Sequence, residues 1–202
     1  MASNVFTLKS HKMAGRLVSL IGPSLFDAWY LLEFDPDVVA ICERPRLDIA
    51  IVRSKKCRAV DFWIARQNGS QSGVIVQGGS RTDEKISLEM LQASVAASGV
   101  TCEIWRECDL MHRRLFLRNL KQILPYLCQE GAIDVGLLEV IDALVLASGA
   151  IGVSLAELFR EQARRSRTQI AASLFAGYAK GRFIADLAQS PLSATETRWA
   201  AP

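Results

Sequence analysis

The sequence predicts an α/β fold, a mixed sheet with flanking helices, followed by a small winged-helix-like C-terminal domain. Three observations carry this. Asp61 to Gly79 reads as two strands joined by a loop. Asp61-Phe62-Trp63-Ile64-Ala65 is aromatic and β-branched, Gly69 and Gly73 bracket a polar turn, and Val74-Ile75-Val76 leads to Gln77 and a glycine pair. A helical pattern over Glu84–Ser98 and an alternating stretch over Val100–Trp105 then supply a βαβ unit. Beyond residue 130, three helical stretches precede two short extended ones.

Composition bounds the possibilities. A chain of 202 residues, half of them hydrophobic, builds one domain or two small ones. A net charge of +3 permits nucleic-acid binding without arguing for it. Five cysteines, Cys42, Cys57, Cys102, Cys108 and Cys128, are odd in number and never spaced Cys-x-x-Cys. That spacing argues against structural zinc and reads as reduced thiols in a cytoplasmic protein. Met1–Lys12 lacks the apolar core of a signal peptide. The longest apolar stretch, Ala143–Val153, is broken by Ser148, Gly149 and Gly152, so no membrane span is expected.

The elements follow in order. Residues 1–16 read as a basic N-terminal arm, with Lys9, Lys12 and Arg16 placed to touch phosphates. Leu17–Ile21 is a short apolar run stopped by Gly22-Pro23. Ser24 reads as an N-cap with Asp27 in the first turn, and Leu25, Phe26, Trp29, Leu32 and Phe34 recur at helical spacing. That helix ends before Pro36. Val38–Cys42 and Leu47–Val52 read as strands, and Ser54–Arg58 as a charged hairpin turn. The loop from Gly78 to Glu84 offers Ser80 or Thr82 as a cap for the next helix, which Gly99 ends. Leu110–Tyr126 carries Arg113, Arg114, Arg118 and Lys121, with His112 as a solvated bystander. The domains are expected at 17–125 and 130–202, with the boundary inside 122–132.

Leu31-Leu32-Glu33-Phe34-Asp35-Pro36-Asp37-Val38, then Glu43-Arg44-Pro45, then Val60-Asp61-Phe62 resembles the N-terminal domain of TnsA-type transposase endonucleases, over about residues 5–115. The resemblance implies a restriction-endonuclease-like sheet. It implies a catalytic set of a helical Glu, a strand-opening Asp, and a Gln or Glu and a Lys on the next strand. In this chain the helical Glu falls at Leu25, the Asp is kept as Asp61, and the last two positions hold Ile75 and Gln77. Hard divalent cations need several oxygen ligands. Leu25 and Ile75 supply none, and Gln77 lacks a lysine's charge. No metal or other cofactor is therefore expected, and magnesium or manganese only if Asp27, Glu33 or Glu43 completes a shifted site.

In the C-terminal region, helices are expected over Asp134–Ala147, from Ser154 with a Ser154/Glu157 capping box, and over Arg167–Lys180. Arg182–Leu187 and Thr195–Trp199 read as a β-hairpin. The third helix would be the groove-reading one, approached by Arg164, Arg165 and Arg167 and followed by Lys180 and Arg182. Its body, Ile170–Ala179, is nearly all apolar or small and offers little to read bases with. The expected function is a catalytically degenerate binding or regulatory subunit, with DNA as partner. By the resemblance, a transposase and an ATPase regulator are further partners. A homodimer would suit a nucleic-acid binder. An active endonuclease nicking transposon ends and an adaptor that never touches DNA are the alternatives.

Overall fold

A computed structural model describes residues 4–13, 15–78 and 86–202. The chain divides into two compact units. One takes in the chain up to His112 apart from 34–36, and the other 34–36 with Arg113–Pro202. The divide thus comes at His112, ahead of the expected 122–132.

The first unit opens with a hairpin of β1 (Val5–Lys9) antiparallel to β2 (Leu17–Ile21), Val5 opposite Ile21. The expected basic arm over 1–16 is therefore, from Val5 to Lys9, a strand. Its Phe6 and Leu8 alternate with exposed Val5, Thr7 and Lys9, and Phe6 stacks on Phe26 at 4.2 Å. Helix α1 (Pro23–Phe34) buries Ala28, Trp29 and Leu32 completely. It begins one residue before the expected cap Ser24, whose hydroxyl donates elsewhere.

Strands β3 (Val38–Glu43), β4 (Asp48–Ala50), β5 (Cys57–Ala59), β6 (Phe62–Arg66) and β7 (Gln71–Gln77) come next. Then follow α2 (Leu88–Ser98), β8 (Cys102–Arg106) and α3 (Glu107–His112). The main sheet runs in the order β3-β6-β7-β8. Its first two pairings are antiparallel; β8 joins β7 in parallel after the α2 crossover, with Ile75 opposite Ile104 and Gln77 opposite Arg106. This is a mixed α/β arrangement with flanking helices. The expected caps Ser80 and Thr82, with Gly79 and Glu84, lie outside the described residues. The described helix starts at Leu88, capped by Ser87 and ended by Gly99 in the left-handed region. Beside the sheet, β4 and β5 form a ribbon that puts Arg58 opposite Ile49. Ile49, Ile51, Val60, Ile75, Ile86 and Leu91 make an apolar cluster.

The second unit is mostly helical: α4 (Arg114–Leu127), α5 (Val135–Ser148), α6 (Leu155–Glu161) and α7 (Arg167–Ala179). Asp134 caps α5, and the Ser154/Glu157 capping box is present at α6. Residues Ile170 to Gly177 of α7 are all buried, so this helix is the core of its unit. The expected C-terminal hairpin is reduced to one bridge, Ile184 with Ala200. Instead β10 (Arg198–Trp199) pairs with β9 (Val153–Ser154). Buried Asn119 on α4 takes the carbonyls of Leu187 and Ser190 at 2.8 Å each, and its own oxygen accepts from Leu192 N at 2.9 Å. The backbone between the two segments is committed to α4 rather than to a ladder.

Candidate functional site

Asp61 sits where β6 begins, beside β7; its N–H donates to Val74 O at 3.0 Å. Its carboxylate is filled by donors from this chain. Arg58 reaches Oδ1 at 3.1 Å and Oδ2 at 2.8 Å, and the Val76 N–H reaches Oδ2 at 2.7 Å. The pair is deeply set, the Arg58 side chain 4% exposed and that of Asp61 11%. Arg58 also donates to Val76 O at 3.2 Å and to Ala59 O. A two-pronged guanidinium–carboxylate contact is the strong form of this interaction. It puts a fixed positive charge against the one acidic residue kept from the resemblance. The sequence reading missed Arg58, taking Ser54–Arg58 as a charged turn; in the ribbon it is buried between exposed Cys57 and Ala59.

The other positions behave differently. Ile75 is fully buried in the apolar cluster. Gln77 lies two residues on and donates to Ile86 O at 3.3 Å. Leu25 is half-buried on α1. Next to it, Ser24 donates to Glu107 at 2.9 Å. Glu107 also presses on the backbone of Gly78, where a Cβ would meet its Oε2 at 2.7 Å. Glu107 is a carboxylate the sequence reading missed; the parallel register that sets Arg106 opposite Gln77 delivers it to this end of β7. Arg44, exposed and in the left-handed region at φ 50, donates its N–H to Asp61 O at 2.8 Å. A bulky residue there carries backbone strain beside the site.

Of the acids named for a shifted site, Glu33 is wholly buried and bound elsewhere. Ser10 Oγ donates to it at 2.8 and 3.0 Å, the Lys12 N–H at 3.1 Å, and His11 Nδ1 lies 2.9 Å away. Burial pushes its carboxyl up, but His11, Lys12 and Ser10 together hold it below the ordinary range. Glu43 holds Arg16 in a two-pronged contact at 2.7 and 2.5 Å. Among the described residues no three His, Cys, Asp or Glu side chains gather closely enough to hold a metal ion. The donors present do not fit a divalent cation: two positions bring no oxygen, one brings an amide turned to Ile86, and the carboxylate faces an arginine.

The basic residues sort by what they touch. Lys12 Nζ is bound to Leu32 O at 3.0 Å and Val38 O at 2.6 Å, securing the end of α1. Arg16, Arg165 and Arg182 pair with Glu43, Asp134 and Asp142. Arg167 lies over the Phe159 ring at 5.5 Å. Lys9 stands on the exposed edge of β1. By contrast Arg113, Arg114, Arg118, Arg164 and Lys180 are exposed and meet no carboxylate among the described residues. Three of these five cluster at the start of α4.

The second unit also holds a half-open cavity of about 400 Å³, lined by Gln122, Tyr126, Leu155, Phe175, Leu192, Ser193, Ala194 and Trp199. Among the described residues no helix is long and apolar enough to cross a membrane. No protein-family model matches the chain, and no curated protein matches it.

Proposed function

We propose that this chain is a nuclease-type scaffold that binds nucleic acid and does not cut it. The restriction-endonuclease-like reading draws support from the element order: α1, then three antiparallel strands β3, β6 and β7, then α2 and the parallel β8. The winged-helix-like reading draws weaker support from α5, α6 and α7 with only a two-residue pairing of β9 and β10. A DNA partner, and by the resemblance a transposase and an ATPase regulator, belong to the same proposal.

One observation carries the non-cutting half: the Asp61 carboxylate is occupied by Arg58 and the Val76 N–H. Metal-assisted phosphodiester hydrolysis asks a carboxylate to hold a cation that activates water and offsets charge on the phosphate. Here the carboxylate already neutralises a guanidinium. The binding half rests on the unpaired arginines of α4 and on phosphate attraction as the main source of such affinity.

The experiment is incubation of the full chain with supercoiled plasmid and magnesium or manganese, beside a gel shift on linear DNA. The expected result is intact plasmid together with salt-sensitive retention in the gel. Nicking that Asp61→Ala abolishes would overturn the proposal in favour of an active endonuclease.

A second reading has its own observation. The outer side of α5 and the turn after it expose Val135 (70%), Leu146 (66%) and Ile151 (79%), an apolar surface that suits a protein partner. Absence of retention at low salt, with the plasmid intact, favours that adaptor.

A further inference from the structure

Helix α4 carries Arg114, Arg118, Gln122 and Tyr126 at successive intervals of four, and all four are exposed. Each neighbour is about 40° further round the helix, so the four form a row that winds by about 120° over roughly 18 Å. The row begins with two arginines that meet no carboxylate among the described residues and ends in the cavity, which Gln122 and Tyr126 line. Trp199, also among the lining residues, is fully buried, and among the described residues its indole N–H has no hydrogen-bond partner. Phe175 stands between Tyr126 and Trp199, at ring distances of 5.3 and 5.6 Å.

We infer that this row is a site for single-stranded nucleic acid, with one unstacked base in the cavity and the adjoining phosphates on Arg118 and Arg114. The inference rests on the nucleic-acid reading above and adds the form of the ligand. Three features favour a base over other occupants. The wall has no charged group, but it holds amide and hydroxyl groups among aromatic rings, which suits a neutral heteroaromatic ring with polar edges. The volume falls in the range of small-ligand sites. Arg118 and Arg114 continue along α4 from the lining residue Gln122, as phosphates would from a base on its chain, and stacking plus a basic track is the usual way proteins hold single strands. A base inside a duplex has both faces covered and cannot enter.

The wall is held in place independently of any ligand. Asn119 ties Leu187, Ser190 and Leu192 to α4 from the buried side of the helix. Ala194 O accepts from Ala156 N at 2.7 Å, and Ser193 N donates to Thr197 Oγ1 at 2.9 Å.

The test is fluorescence anisotropy of the full chain with labelled oligonucleotides of about 12 nucleotides. The arms are single-stranded DNA, single-stranded RNA, the DNA duplex, and a strand of abasic residues. The expected result is that one or both single strands bind more tightly than the duplex. The abasic strand binds about five- to hundred-fold more weakly than its parent. Arg114→Ala with Arg118→Ala lowers the logarithmic salt slope by about 1.4, the share of two phosphates on a single strand. Gln122→Glu, an exposed change that leaves the packing alone, weakens binding by setting a negative charge between arginines and base. Tyr126→Leu weakens it without altering the salt slope. Equal binding of abasic and parent strands, or a duplex bound as tightly as the better-bound single strand, overturns the inference while leaving the nucleic-acid reading standing. Failure to bind any of the four overturns both.

Discussion

At residue scale, Arg58 and Asp61 each depend on the other. A buried charge without its partner is costly, whereas replacing both members of a pair by apolar groups is often nearly neutral. Arg58→Met is expected to destabilise the first unit by about 3–5 kcal/mol, and Arg58→Met with Asp61→Leu to recover most of that loss, both read from urea midpoints. Equal destabilisation in single and double variants would mean that Arg58 acts through packing rather than through its charge. Asp61 was legible in the sequence because it opens an aromatic strand after Val60. Its partner was not. Ser54-Lys55-Lys56-Cys57-Arg58 has the composition of a solvated turn, and only the ribbon register, setting Arg58 opposite buried Ile49, turns the arginine inward. The same limit hid Glu107: nothing local marks a glutamate after a strand as the acceptor for Ser24, 83 positions away.

At the scale of elements, α7 is held by what it lacks. A glycine inside a helix costs about 1 kcal/mol relative to alanine, yet Gly177 sits in the buried run of α7. A Cβ there would collide with the Phe183 ring. Gly177→Ala is therefore expected to cost about 1–3 kcal/mol through overpacking, despite its better helix propensity. Thermal melts decide the sign: a gain would mean that Phe183 swings aside freely. Helices were the legible part of this chain. α5 and α7 lie within a residue or two of their sequence-read bounds, and α6 starts where Ser154 was read to open it, because capping residues and glycines mark those ends. Strands were legible where β-branched residues cluster, as at β3, β6 and β7. β1 was not, since its lysine and threonine mask a half-buried alternation. The C-terminal hairpin failed for a different reason: the competitor for its backbone, Asn119, lies 68 positions from Leu187.

At the scale of the whole molecule, ionisable groups in the two units set the limits of its pH range. Glu33 is held below its ordinary value of 4.5, and Glu157 is brought down to about 2 by the Ser154 N–H, Arg198 and the Ser154 hydroxyl. In both cases the unfolded chain takes up the proton first. Their contribution is present above 4.5 and is lost as pH falls toward the folded values. Burial pushes Tyr178 up to about 12 from 10.0, so its contribution is present below 10 and is lost as pH rises toward 12. Urea midpoints followed across the range should show a plateau that falls off at both ends. Glu33→Gln should flatten the acid limb as read by probes in the first unit; an unchanged limb there would assign acid sensitivity to other groups. The arginine set against Asp61 also limits how the first unit can change. A glutamate introduced alone at Ile75 would be an uncompensated anion among Ile49, Ile51, Val60, Ile86 and Leu91, and losing Arg58 alone would strand Asp61. Either of these two changes, made singly, weakens the first unit before any cation is gained, so the pair and the cluster beside it act as a latch that yields only when both sides change together.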